Sequence, residues 1–105
     1  METKKILVTG IGGNVGQGIL RNIRDSFQNL SIIGVDIANF TPGNYLCDNT
    51  YQVPYSFDES YIPTIQEIVT KEKVDLIIPS TDYEVYYLSL NRSKINAIVV
   101  ASEAQ

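Results

Sequence analysis

Five glycines within nine positions are the residues whose type and spacing first predict chemistry in this sequence: Gly10, Gly12, Gly13, Gly16 and Gly18. Glycine has no Cβ, so a chain rich in it turns sharply and lets a ligand approach the backbone closely. The first amides of the helix that follows have no partners inside the helix and lie at the positive end of its dipole. The segment therefore predicts a strand, a tight turn and a helix start that favours a phosphate or a carboxylate.

The spacing of the glycines fails two phosphate-binding motifs. A G-x-G-x-x-G motif that starts at Gly10 would need its third glycine where Val15 stands. A P-loop that ends at Gly18 would need a lysine directly after it, and the residue there is Ile19. We therefore do not expect this loop to bind a triphosphate in the manner of a P-loop.

A third pattern does match, because Thr9-Gly10-x-x-Gly13-x-x-Gly16 is similar to the fingerprint of extended short-chain dehydrogenases and epimerases. In such a site Asp36, at the end of the next predicted strand, would bind a ribose hydroxyl. Two structural alternatives stay open at this point. In the first, the glycines serve only the close packing of helix on strand. In the second, Asp36 accepts hydrogen bonds from amides of the loop that follows it.

Composition excludes several functional classes. The 105 residues suit one domain, and 44% hydrophobic with 19% charged residues is ordinary for a globular protein. The net charge is -4 and no basic cluster is longer than Lys4-Lys5, so we expect no nucleic-acid partner. No apolar run approaches the roughly 20 residues of a membrane helix and no signal peptide is visible, so we expect a cytoplasmic protein without membrane contact. The single cysteine, Cys47, and the absence of histidine predict no metal site, no internal disulfide and no histidine-activated nucleophile, and we name no catalytic residue.

Apolar periodicity predicts strands and helices that alternate along the chain. The predicted strands are 6–8, 31–37, 74–79 and 97–101, with a short edge strand at 50–54. The predicted helices bury Val15, Ile19, Leu20, Ile23 and Phe27 in the first and Ile62, Ile65, Ile68 and Val69 in the second, and the third spans about 83–91. This order predicts an α/β fold, a Rossmann-like three-layer sandwich with a mostly parallel four-stranded sheet in the order 2-1-3-4 plus the short edge strand.

Ligands of open parallel sheets bind outside the carboxyl ends of the strands, so the polar segments that follow the strands should form one rim. Thr81 and Asp82 have an alternative role there as helix caps, and Glu84 as a partner of the helix dipole. The candidate substrate- or cofactor-binding residues of this rim are Gly10, Gly12, Gly13, Asn14, Gly16, Asp36, Thr81, Asp82 and Glu84.

A long connection over 38–60 takes the place where a simple βαβ unit would have a helix. Connections of this length in compact domains usually bind a ligand or contact a partner. Tyrosine is favoured at interfaces, and four tyrosines lie in or beside this segment: Tyr45, Tyr51, Tyr55 and Tyr61. We expect a surface for a partner or a neighbouring domain, and the alternative of a solvated loop stays open.

Taken together, four segments of the chain resemble the N-terminal pre-ATP-grasp domain of ATP-grasp ligases, closest to the large subunit of carbamoyl-phosphate synthase and its relatives. The segments are KKILVTGIGGNVGQGI at 4–19, GVDI with the loop up to TYQVP at 34–54, VDLIIPSTDYE at 74–84 and NRSKINAIVVAS at 91–102. They span nearly the full length in the expected order.

This resemblance implies that the domain forms one wall of a substrate cleft and holds no cofactor itself. Mg-ATP in the parent enzyme would sit between later domains and convert a carboxylate to an acyl phosphate, which an amine then attacks. The glycine turn and 80–84 would face the acyl phosphate. The sequence stops at Gln105, before an ATP-grasp domain, so we expect a truncated piece that does not catalyse the reaction alone. Its expected partners are the ATP-grasp domain of the same chain and a small-molecule carboxylate, and the oligomeric state stays open.

The main alternative is the NAD(P)-binding half of an extended short-chain dehydrogenase or epimerase. The glycine spacing and Asp36 favour it. A Tyr-x-x-x-Lys pair, in which the lysine lowers the pKa of the tyrosine, is missing, because Tyr87 is followed four residues later by Asn91. A third alternative, a binding or regulatory module, rests only on the tyrosine-rich connection.

Overall fold

The computed structural model describes residues 4–27 and 29–100 of the chain. Its middle layer is a sheet of five strands: β1 (Lys4–Thr9), β2 (Leu30–Asp36), β3 (Asn49–Gln52), β4 (Leu76–Ile78) and β5 (Ile98–Val99). The strand order is β3-β2-β1-β4-β5, and all neighbouring pairs are parallel. The predicted α/β fold and strand order are confirmed, and the predicted edge strand is β3. β4 and β5 are shorter than predicted, and Ala101, the predicted end of the last strand, lies outside the described residues.

Three helices cover the sheet: α1 (Asn14–Ser26), α2 (Tyr61–Glu72) and α3 (Asp82–Leu90). Because β2 lies on one side of β1 and β4 on the other, right-handed connections place α1 on one face and α2 with α3 on the opposite face. Each face has its own apolar core, with Val8 and Leu20 on the α1 side and Leu7, Ile65 and Leu88 on the other. Among the described residues, no helix combines the length and the apolar character that a membrane crossing requires.

The predicted buried face of α1 is correct in its middle and wrong at its two ends. Leu20 and Ile23 are buried and Ile19 is partly buried, as predicted, but Val15 is 61% and Phe27 is 57% exposed. Gly16 selects the face that meets the sheet, because a Cβ added there would lie 2.2 Å from the carbonyl oxygen of Gly10. Phe27 follows the last turn in extended conformation, so helical spacing no longer places its side chain.

A buried hydrogen-bonded group around Glu84 joins β1, α2 and α3. The carboxylate Oε1 accepts from the Thr9 hydroxyl at 2.8 Å and from the Thr81 hydroxyl at 3.0 Å, and Oε2 accepts from the Tyr61 hydroxyl at 2.8 Å. The prediction of Tyr61 as an interface residue is wrong, because its side chain is fully buried. Burial, together with the Glu84 carboxylate, raises the pKa of Tyr61, so the phenol stays protonated and donates.

Cys47 packs beside β2 as a small side chain. A Cβ added at Gly34 would lie 2.5 Å from its sulfur, so the strand needs glycine at that position. Burial raises the pKa of the Cys47 thiol to about 11, although the nearby Arg24 lowers it in part. The thiol is therefore protonated near neutral pH, which supports its interpretation as a packing residue rather than a nucleophile.

Replacing Tyr61 with phenylalanine is expected to destabilise the chain by about 1–3 kcal/mol, because Oε2 of Glu84 loses its donor in a buried environment. Urea unfolding followed by circular dichroism measures this free energy. Tyr45→Phe is the matched control, since Tyr45 is 72% exposed and the loss of its hydroxyl should change stability by less than about 0.5 kcal/mol. Equal stability of Tyr61→Phe and the unaltered chain would contradict a structural role for this hydroxyl.

Candidate functional site

The glycine turn after β1 is tight and held by backbone hydrogen bonds. Gly10 has a φ of 61°, in the left-handed region where a side chain would strain the backbone. The amide of Ile11 donates to the carbonyl of Val35 at 3.3 Å, and the amide of Gly13 donates to the carbonyl of Gly10 at 3.1 Å. Helix α1 then begins at Asn14 with Gly13 as its N-cap and no side-chain cap.

The glycines of this turn have different roles. Gly16 is buried and is required by the approach of α1 to the turn, as the packing alternative predicts. Gly18 is exposed, and a Cβ there would meet nothing within 4 Å, so packing does not explain it. Gly12 and Gly13 are partly or fully exposed and border an open groove. The motif therefore combines glycines with close neighbours, namely Gly10, Gly12 and Gly16, with two that have room for a side chain, Gly13 and Gly18.

Asp36 joins the glycine turn to the loop after β2. Its Oδ2 accepts from the amide of Gly12 at 2.8 Å, and its Oδ1 accepts from the amide of Ala38 at 2.9 Å. This is the amide-capping alternative that the sequence left open. Each carboxylate oxygen keeps further acceptor capacity, because an ionised carboxyl group has about four lone-pair sites in all.

The long connection is ordered by contacts with the glycine turn and with α1. A Cβ on Gly12 would lie 2.8 Å from a methyl carbon of Thr41, and one on Gly43 would lie 2.2 Å from the carbonyl oxygen of Ile11. Arg24 of α1 donates to the carbonyl of Leu46 at 2.8 Å. The first part of the connection is therefore a packed wall beside the turn rather than a free loop.

The segment between β4 and α3 completes the rim. Thr81 is the N-cap of α3, and its hydroxyl accepts from the amide of Glu84 at 3.2 Å, as the capping alternative predicts. Asp82 is exposed in the first turn of the helix. The amide of Ser80 donates to the Thr9 hydroxyl at 3.1 Å, which fixes this segment to the end of β1.

These segments enclose a groove of about 780 Å³ at the carboxyl ends of the strands. Six of the nine candidate residues line it: Gly10, Gly12, Gly13, Asp36, Thr81 and Glu84. The other three, Asn14, Gly16 and Asp82, do not line the groove, and Gly16 is buried behind the turn. The sequence thus identified one continuous rim, and whether its residues bind a ligand stays a prediction.

Sequence reasoning missed most of the aromatic side of the groove. Four exposed rings line it, with exposed fractions of 87% for Phe40, 57% for Tyr55, 66% for Phe57 and 73% for Tyr83. The rings of Tyr55 and Phe57 stack with their centroids 5.3 Å apart. Of these four rings the sequence prediction of an interface included only Tyr55, because that prediction rests on tyrosine and not on phenylalanine. The sequence signal that could have predicted this side of the groove is the presence of aromatic residues among the turn-forming residues of the long connection.

The groove carries acidic groups and no basic ones. Among the described residues, Asp36 and Glu84 are its only ionisable lining residues apart from the two tyrosines, and no lysine or arginine lines it. Within residues 4–27 and 29–100, no group of three or more His, Cys, Asp or Glu side chains is placed to hold a metal ion. The side chains that line the groove suit a neutral or cationic ligand with an apolar part, and the backbone amides at the start of α1 are the groups there that favour an anion.

Solved structures with the same fold include a synthetase, a transformylase and a dehydratase. N5-carboxyaminoimidazole synthetase from Staphylococcus aureus complexed with ADP matches with a TM-score of 0.64 at 18% identity, over 92% of this chain and 24% of that chain. Glycinamide-RNase-transformylase T from Mycobacterium tuberculosis matches with a TM-score of 0.67 at 12% identity, over 91% of this chain and 28% of that chain. dTDP-glucose 4,6-dehydratase from Bacillus anthracis str. Ames in complex with NAD matches with a TM-score of 0.63 at 12% identity, over 98% of this chain and 42% of that chain.

At these identities the likeness shows the fold alone, and this fold is shared by proteins of different function. The chain spans less than half the length of each of these proteins. No curated protein sequence matches it. The family comparison is more specific, because the family model for the PylC-like N-terminal domain matches residues 6–102, nearly the whole chain. The chain therefore belongs to the PylC-like N-terminal domain family, which confirms the pre-ATP-grasp domain that the sequence predicts.

Proposed function

We propose that this domain forms the substrate-side wall of an ATP-grasp ligase that joins a carboxylate to an amine. In the proposed reaction a carboxylate oxygen attacks the γ-phosphorus of ATP, the bond to the bridging oxygen breaks, and ADP leaves. The amine nitrogen then attacks the acyl carbon of the acyl phosphate, loses a proton, and phosphate leaves. We include in this proposal that the parent enzyme is similar to the large subunit of carbamoyl-phosphate synthase. The use of Mg-ATP by the parent enzyme favours a cytoplasmic location.

The observation that carries the proposal is the groove at the carboxyl ends of the strands in a chain of this family. Open parallel sheets bind ligands at that edge. The wall is rigid where it would face a substrate, because Asp36 holds the glycine turn and Glu84 holds the start of α3. A two-substrate reaction is accelerated when a fixed surface holds the two reacting groups in the correct orientation to each other.

The described residues do not fit Mg-ATP in this groove. A triphosphate is bound by arginine, by lysine or by a metal ion held on carboxylates, in addition to the amides of a helix N-terminus. No basic residue lines the groove, and no metal-binding cluster is present among the described residues. The proposal therefore assigns ATP and magnesium to another domain of the parent protein and gives this domain a role in substrate positioning.

An uncovered part of the sheet supports a neighbouring domain. Leu76 and Ile78 of β4 lie beside Ile6 and Val8 of β1, so they share the face that carries α1. Ile98 pairs with Leu76 and lies on the same face, yet it is 68% exposed. Exposed apolar strips of this kind mark contacts with another protein surface. We assign this strip to contact with the ATP-grasp domain of the parent chain.

The oxidoreductase alternative has a specific basis, because the glycine spacing matches and the dehydratase structure contains NAD. The packing of the turn counts against it, because Thr41 packs against Gly12 at the mouth of the turn. A pyrophosphate there would have no cationic partner among the lining residues.

The ligase reaction is tested with the longer protein that the reading frame of the source gene encodes. Incubated with Mg-ATP, hydroxylamine and a panel of amino acids and small carboxylic acids, it should form a hydroxamate with one class of carboxylate, because hydroxylamine replaces the amine. Ferric chloride detects the hydroxamate, and ADP release should rise in parallel. Omission of the carboxylate is the control. A reading frame that contains no ATP-grasp domain would refute the assignment, and so would ADP release that no carboxylate stimulates.

A titration of the 105-residue chain with NAD and NADP separates the two functions. We expect dissociation constants weaker than about 1 mM by calorimetry, because the groove lacks cationic partners for the pyrophosphate. Micromolar saturation that Asp36→Ala weakens would contradict the ligase assignment and support a dinucleotide site.

Substitution Ile98→Asp tests the proposed domain contact. In the 105-residue chain it should change the Tm by less than about 2 °C, since the site is exposed, whereas in the longer protein it should lower the Tm by at least about 4 °C by burying a charge. Asn22→Asp adds the same charge on an exposed position of α1 and should change both proteins little. Equal small effects of Ile98→Asp in both proteins would show that this face stays uncovered.

A further inference from the structure

The groove has an electrostatic character that the acyl phosphate does not match. None of its fifteen lining residues is lysine or arginine, whereas two are carboxylates. The basic residues of the chain lie elsewhere, and Lys4 and Lys5 begin β1 at the opposite edge of the sheet. The carboxyl edge is thus the acidic edge, with Asp36, Asp82 and Glu84 on it.

An anion and a cation would meet very different conditions in this groove. An anion is repelled by Asp36 with no lysine or arginine among the lining residues to offset the repulsion, and only the first amides of α1 favour it. A cation is attracted by Asp36, whereas the oxygens of Glu84 face inward and accept from three hydroxyl groups. An ammonium group also gains from aromatic faces, and four rings surround the groove.

The groove also fits the apolar part of a ligand. The stacked rings of Tyr55 and Phe57 form one side, and Ile37 and Pro42 contribute aliphatic surface. A volume of about 780 Å³ lies in the range of small-molecule sites, which are mostly apolar with a few polar groups that fix orientation. Asp36 is the polar group in the best position to do this, because it is only partly buried and keeps acceptor capacity.

We propose that this groove binds the amine substrate, as an ammonium ion with an apolar body, and does not hold the acyl phosphate. Asp36 orients the nitrogen, and the rings of Phe40, Tyr55, Phe57 and Tyr83 enclose the rest of the molecule. The identity of the bound amine as a substrate rests on the proposed ligase function, but the charge preference of the groove is a property of this chain alone. The glycine turn then serves as a close backbone wall rather than as an anion site.

Three probes of one shape and different charge test the preference. The ¹⁵N-labelled 105-residue chain is titrated at pH 7 with 4-phenylbutylamine, 4-phenylbutan-1-ol and 4-phenylbutyrate while amide shifts are followed by NMR. The amine should shift the amides of Gly12, Ala38 and Phe57 in a saturable way and bind at least about tenfold more tightly than the carboxylate, the ratio that 1.4 kcal/mol of charge preference gives. The alcohol should lie between them. A carboxylate that binds as tightly as the amine, or amine shifts confined to other parts of the chain, would overturn the proposal.

Three variants locate the preference. Asp36→Asn should weaken the amine about tenfold more than it weakens the alcohol, because both ligands experience any change in the turn but only the amine loses the opposite charge. Phe40→Leu, at a side chain 87% exposed, keeps the fold and should weaken the amine about two- to fivefold through the loss of one ring. Asp25→Asn makes the same change of net charge on the exposed side of α1 and should leave all three affinities unchanged. An Asp25→Asn effect as large as that of Asp36→Asn would show a general charge effect and overturn the assignment of the site.

The outcome is separable from that of the ligase assay. Amine preference in the NMR titration without hydroxamate formation in the longer protein would retain the ammonium groove and remove the ligase. Hydroxamate formation with a groove that prefers the carboxylate probe would retain the ligase and place the carboxylate substrate, not the amine, on this wall.

Discussion

The hydrogen bonds of the buried Glu84 carboxylate are the interaction on which the rim depends. One carboxylate joins the end of β1 through Thr9, the start of α2 through Tyr61 and the N-cap of α3 through Thr81. Burying a carboxylate costs free energy unless hydrogen-bond donors surround it, and three hydroxyl groups act as those donors here. The arrangement has a geometric consequence. The floor of the groove is fixed by a group that faces inward, so the ligand-facing surface is left to Asp36, the turn and the aromatic rings.

The glycine turn shows why a motif of this kind does not decide function. Gly10 is needed for its left-handed backbone and Gly16 for the approach of α1, and both requirements exist whether or not a nucleotide binds. The same two requirements are met in dinucleotide-binding enzymes, which explains the match in spacing and in fold. The distinguishing features lie outside the motif, in Thr41 beside Gly12 and in the absence of lysine and arginine from the described residues that line the groove. Function in such folds is therefore argued from the site and not from the architecture.

The parts of the structure that depend on local pattern could be predicted from the sequence. Buried strands are visible as apolar runs rich in β-branched residues, and Thr81 precedes a helix at capping distance from Glu84. Right-handed connections then exclude most orders in which the strands could lie in the sheet. The misses share a different cause. Tyr61 lies beside the long connection in sequence but turns into the core because a buried carboxylate 23 residues later needs its hydroxyl. Val15 fits the helical spacing, but the contact between Gly16 and Gly10 selects another face. Both depend on a partner that sequence proximity does not reveal.

In the proposed ligase, the charge distribution of this domain would divide the two-substrate reaction between domains. A reaction that passes through an acyl phosphate brings an anionic intermediate and a basic amine to the same place, and one site cannot favour both charges equally. A wall with carboxylates and aromatic rings, facing a domain that supplies cations and magnesium, would separate the two tasks across the cleft. Amine and acyl phosphate would then each be bound by the surface of opposite charge and meet at the boundary between them. In that arrangement the acidic edge of this domain does not conflict with phosphate chemistry, because the opposing surface would carry the phosphate. The ammonium ion held on this side would first lose a proton to water, and the neutral amine would then attack the acyl carbon.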